Sequence, residues 1–113
     1  MDMTAPRGAL PLPDRGLQLR PETRLARARE QMSCTIDREA VVLSLRDGMY
    51  YGLNEVGARV WELIEESHSL GEIVAMIAGE FEVGPEQCET DVRRLLAQFH
   101  AAGLVEVLHE RAR

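Results

Sequence analysis

The stretch RDGMYYGLNEVGARVWELI, residues 46–64, decides the fold. Asp47-Gly48 is a pair favoured in tight hairpin turns, because both residues tolerate the left-handed backbone such turns need. MYYGL then reads as a strand with two adjacent aromatic residues. Asn54 suits a helix N-cap. Beyond it Val56, Val60, Leu63 and Ile64 share one face, with Trp61 beside them, so the spacing predicts a helix over residues 55–66. Neighbours along a strand point to opposite faces. Either Tyr51 and Leu53 turn inward with Met49 and Tyr50 turns outward, or the reverse holds. In both cases one phenol ring stands on an open surface.

Upstream, AVVLSL (residues 40–45) is β-branched and apolar and reads as a central strand. QMSCTID (residues 31–37) alternates Met32, Cys34 and Ile36 against Ser33 and Thr35, the period of a half-buried strand with the first three as its apolar face. Asp37-Arg38-Glu39 supplies the turn between these two. The outer strands of such a meander each leave one edge unpaired unless something covers it. Downstream, Ser69 and Glu72 have capping-box spacing, and Leu70, Ile73, Val74, Ile77 and Phe81 form the stripe of a second helix. Gly84-Pro85 opens a third, along which Cys88, Val92, Leu95, Leu96 and Phe99 recur at helical spacing. Gly103 is placed as the C′ residue with Leu104 closing the contact, and LVEV runs out as a short strand or tail. Helices one and two are expected two or three residues apart, as in a helix-turn-helix. The fold class is α+β, winged-helix-turn-helix-like: a three-stranded antiparallel meander followed by three helices.

A chain of 113 residues is one domain's worth. Residues 1–16 carry three prolines and two glycines and read as a flexible tail, residues 17–30 as an arm of either extended or helical-turn structure, residues 31–107 as the domain, and residues 108–113 as a C-terminal tail. Neither a membrane span nor a secretory signal is visible, which makes the cytoplasm the expected compartment. The net charge is −6 and every basic residue is arginine. Residues 31–113 hold seven arginines against fifteen acids, a surface that repels nucleic-acid phosphates. Cys34 and Cys88 lack CxxC spacing and lie on the predicted apolar faces, where a thiol is inert, so both are expected as buried free thiols. His68, His100 and His109 have no metal-ligand spacing, and no glycine-rich loop joins a strand to a helix as a phosphate site requires. The reading is a non-enzyme with no metal and no cofactor.

VVLSLRDGMYYGLNEVGARVWELI, followed by SLGEIVAMIAGEFEV and DVRRLLAQFHAAGLV, resembles the PqqD-like family, the peptide-recognition domains called RiPP recognition elements. The anchors are Asn54, Gly57, Trp61, Asp91-Val92 and Gly103-Leu104, and the likeness runs from residue 31 to about 107. YGLN with GARVWEL behind it is most similar to the stand-alone leader-binding proteins of lasso-peptide biosynthesis. The resemblance implies a peptide chaperone that binds the leader of a ribosomally made precursor as an added strand, and presents it to a leader peptidase or other maturation enzyme. It implies a site on the third strand, Met49, Tyr50, Tyr51, Gly52 and Leu53, with helix three as far wall through Cys88, Asp91, Val92 and Leu95, of which Cys88, Val92 and Leu95 read equally well as core, and Arg94 facing leader carboxylates. The tail lies outside the likeness and is expected to be dispensable for capture. One alternative is a PqqD-type chaperone for a radical SAM enzyme. Another is a winged-helix DNA-binding regulator, against which SLGEIVAMIAGEFE holds no Lys or Arg.

Overall fold

The computed structural model describes residues 10–12 and 17–108; the expected tails lie largely outside these, and His109 wholly so. Five strands and three helices follow in the order β1 (Arg24–Arg27), β2 (Gln31–Ile36), β3 (Glu39–Ser44), β4 (Tyr50–Leu53), α1 (Glu55–Glu65), α2 (Leu70–Phe81), α3 (Pro85–Ala101) and β5 (Val105–Leu108). The meander is present as an antiparallel sheet in the order β2-β3-β4. Gly48 turns the β3–β4 connection with φ of 73°, and the Asp47 carboxylate accepts from the Met49 N–H at 3.0 Å. That short bond fixes where β4 begins.

Each helix starts and stops on a local signal. The Asn54 side chain accepts from the Gly57 N–H at 3.0 Å. Ser69 and Glu72 form a reciprocal capping box, and Pro85 occupies the first turn of α3. At the far end Gly103 takes φ of 75°, and the N–H groups of Gly103 and Leu104 bond the carbonyls of His100 and Phe99, a Schellman closure with Leu104 fully buried. The α1–α2 connection is four residues, Glu66 to Ser69, longer than expected because Glu66 caps α1 and Ser67 turns through φ of 68°.

A second sheet was not anticipated. β1 pairs antiparallel with β5, Leu25 opposite Val107, joining the two ends of the described chain. Leu25 is the only fully buried side chain of β1, so four residues carry too little alternation to betray a strand. Residues 17–30 are thus not merely an arm. Arg27 lies 4.4 Å over the Trp61 ring and donates to the Trp61 carbonyl at 2.9 Å, tying β1 to α1. Trp61 in turn meets Phe99 edge to face at 5.4 Å, a contact worth about 1 kcal/mol beyond its burial. Leu10, in the segment expected to be a tail, is also buried in this core.

The meander's faces invert one expectation. The Trp61 indole N–H needs an acceptor, and the Ser33 hydroxyl supplies it at 3.1 Å. Ser33 therefore faces the helices. Met32, Cys34 and Ile36 point outward, and Met32 and Ile36 are each 62 % exposed. Cys34 is an exposed thiol, not a buried one; Cys88 is buried.

Candidate functional site

β4 is the last strand of its sheet, and its outer edge has no strand beside it among the described residues. Which backbone groups look out follows from the register. The Ser44 N–H donates to the Met49 carbonyl at 2.8 Å, and Leu43, Val42, Val41 and Ala40 pair with Tyr50, Tyr51, Gly52 and Leu53. Hydrogen-bonded and non-bonded pairs alternate in an antiparallel ladder. Tyr51 and Leu53 therefore bond inward to β3, while Tyr50 and Gly52 direct both N–H and C=O to the open edge. A strand of four residues thus offers two donors and two acceptors in extended geometry.

The side chains alternate as well. Tyr51 and Leu53 are buried, 5 % and 2 % exposed, whereas Tyr50 is 53 % exposed. Burial, and then the nearby Asp47 carboxylate, push the Tyr51 phenol up from its ordinary value, so it stays neutral. Met49 lies just before the strand and is half exposed. On the outer face beside Gly52 is a hollow of about 380 Å³, lined chiefly by Ile36, Val41, Gly52, Leu53 and Asn54. The hollow is not legible from alternation, which groups Ile36 with Met32 and Cys34 without fixing which way that face points. The signal was present: a buried Trp61 requires an acceptor, and Ser33 is the hydroxyl in the alternating strand nearest the sheet's central residues.

The strand residues come together; the α3 residues divide. Cys88, Val92 and Leu95 are each at most 2 % exposed and belong to the core, which leaves them no surface to offer a peptide. The helical stripe that named them is the stripe that packs the domain. The Cys88 thiol donates to the Val74 carbonyl of α2 at 3.4 Å, and burial, then Asp91, push its pKa up, so it is a poor nucleophile. Asp91 is half-buried and accepts from the Gln87 amide at 2.9 Å; Arg94 is exposed. Among the described residues no three of His, Cys, Asp and Glu cluster to hold a metal ion. No helix of the described chain is long and apolar enough to cross a membrane.

Residues 39–105 match the family model of coenzyme PQQ synthesis protein D, PqqD. The chain belongs to the PqqD family. Among curated proteins no match is found. Two solved structures resemble this PqqD-family chain. TbiB1, solved in complex with the TbiA(beta) leader peptide, is 35 % identical, with a TM-score of 0.70 over 75 % of this chain and 99 % of TbiB1. A lasso peptide synthetase B1 complexed with the leader peptide is 26 % identical, with a TM-score of 0.65 over 75 % of this chain and 98 % of its own.

Proposed function

We propose that this PqqD-family chain is a non-catalytic recognition protein that captures the leader segment of a ribosomally made precursor, of the lasso-peptide kind, and hands it to a separate leader peptidase in the cytoplasm. The observation that carries the reading is the open β4 edge, on a chain 35 % identical to a protein solved with a leader peptide bound. Strand addition uses backbone bonds for register and side-chain pockets for selectivity. The four outward groups of Tyr50 and Gly52 contribute about 1 kcal/mol each. Ordering a flexible peptide costs most of that, roughly 2–5 kcal/mol. Two apolar anchors on the peptide, at about 1.5–3 kcal/mol each, would then supply most of the net affinity.

Tyr50 and Gly52 supply the pairing edge in this reading, Met49 lies beside it, and Tyr51 and Leu53 hold the strand to β3. Of the five α3 residues expected at the site, only Asp91 and Arg94 have surface to give. Arg94 would suit a leader carboxylate. The test has two arms. Fluorescently labelled TbiA(beta) leader is titrated with the pure chain, and a full precursor is incubated with it and weighed by mass spectrometry. Saturable binding and an unchanged precursor mass are expected. Absence of binding overturns capture, and a cleaved precursor overturns the non-catalytic assignment.

A further inference from the structure

The strand-addition reading leaves open which leader side chain is selected, and Gly52 bears on this. Its φ is not in the left-handed region, where among the described glycines only Gly48 and Gly103 lie. The backbone at residue 52 therefore does not require glycine. A glycine inside a strand costs stability and often marks a place where another chain approaches closely. Gly52 lines the hollow of about 380 Å³ together with Ile36 and Val41 and contributes no side chain to fill it. Val41 is the cross-strand partner of Gly52 and is 37 % exposed; Ile36 is 62 % exposed. Apolar surface is left uncovered at the one outer-face position of β4 that has no side chain to cover it.

We propose that Gly52 is a specificity-determining residue: the leader residue directly opposite it is large and apolar or aromatic, and its side chain lies across Gly52 into the hollow between Val41 and Ile36. This rests on the leader adding antiparallel to β4. In that register Gly52 and its new partner form a hydrogen-bonded pair, and directly paired residues put their side chains on the same face. The side chain opposite Gly52 must therefore emerge beside the hollow. A large cross-strand neighbour over a glycine shields the exposed backbone and regains packing that the glycine gives up. Two residues along, the Tyr50 ring occupies the same outer face, so the leader residue opposite Tyr50 meets a filled position and gains less from size. Glu39 at the rim disfavours an acidic residue in the hollow.

The experiment measures binding of the TbiA(beta) leader, and of a set with each residue singly replaced by alanine, to the wild-type chain and to Gly52→Val. Valine suits a strand and points its methyl groups into the hollow. Gly52→Val should weaken the parent leader by about tenfold or more. One large apolar leader position should lose about as much on alanine replacement with the wild-type chain, yet almost nothing with Gly52→Val, because the hollow is already blocked. If Gly52→Val binds the parent leader like wild type, or if every peptide position is additive with it, the hollow is not a subsite although strand addition stands. If the wild-type chain binds no leader, strand addition itself falls, and this inference with it. Should circular dichroism show Gly52→Val unfolded, Gly52→Ala is judged by the same non-additivity.

Discussion

A proline placed at Tyr50 separates the edge from the sheet. The Tyr50 N–H points away from β3, so its removal leaves the β3–β4 ladder complete. The Tyr51 N–H points into the ladder, so Tyr51→Pro breaks the sheet and also empties a site that is 5 % exposed. Tyr50→Pro removes the ring as well as the donor, and Tyr50→Ala is the control that removes the ring alone. The difference between the two contains the loss of one backbone hydrogen bond, about 1 kcal/mol, or at least about fivefold in affinity. The proline ring also stands where the incoming strand must approach, which raises the expected loss to about tenfold or more. Leader binding is read by fluorescence polarisation and folding by thermal melting. Tyr50→Pro should melt close to Tyr50→Ala and bind at least fivefold more weakly, while Tyr51→Pro should lose folding outright. If Tyr50→Pro and Tyr50→Ala bind alike and both are folded, the leader does not pair with β4.

The two tyrosines should part company under alanine substitution: Tyr51→Ala is expected to cost about 3 kcal/mol of stability, and Tyr50→Ala to leave the melting temperature unchanged and weaken leader binding, as melting curves and titrations will show. Deleting residues 1–16 removes the buried Leu10 and should lower stability by about 1–2 kcal/mol in urea unfolding, while leader affinity changes less than about tenfold. Arg59 holds Glu80 by two bonds, 2.9 and 3.1 Å, and this lowers the Glu80 carboxyl from its ordinary value of 4.5. A lowered carboxyl stabilises the fold above its unfolded value and loses that contribution as pH falls through the folded one. Wild type should therefore exceed Glu80→Gln in melting temperature at pH 7, by an amount that solvent screening holds to about 1 kcal/mol, and the gap should close as the pH drops below about 4.

Local signals were legible because their physics is local. Asn54, the Ser69–Glu72 box, Pro85 and Gly103 each satisfy or spare orphan backbone groups within a few residues, and each sits where its spacing placed it. The β1–β5 sheet was not legible because its pairing spans nearly the whole domain, and RLAR and VEVL are each too short for a period. For the candidate site, β4 could be read from Asp47-Gly48 and the alternation that follows. The α3 residues could not be sorted, since a helical stripe reports that a face is apolar without reporting what covers it.

The β2 inversion carries the same lesson into function. Alternation fixes that Met32, Cys34 and Ile36 share a face, and leaves open which way the face points. Apolar content argues for inward, yet one polar requirement decided otherwise: an indole N–H buried without a partner costs about 1–3 kcal/mol. Ser33 meets it, and the strand turns its apolar residues to the surface. β3 continues that surface through Leu43 and Val41, which pair with Met32 and Cys34 and in turn with Tyr50 and Gly52 on β4. The apolar outer face thus runs unbroken from the far edge of the sheet to the open one, and a strand added at Tyr50 and Gly52 would extend it by the side chains that strand contributes. A protein that merely packed a core would bury these residues; one that recognises a strand by its side chains has a reason to leave them showing beside the edge.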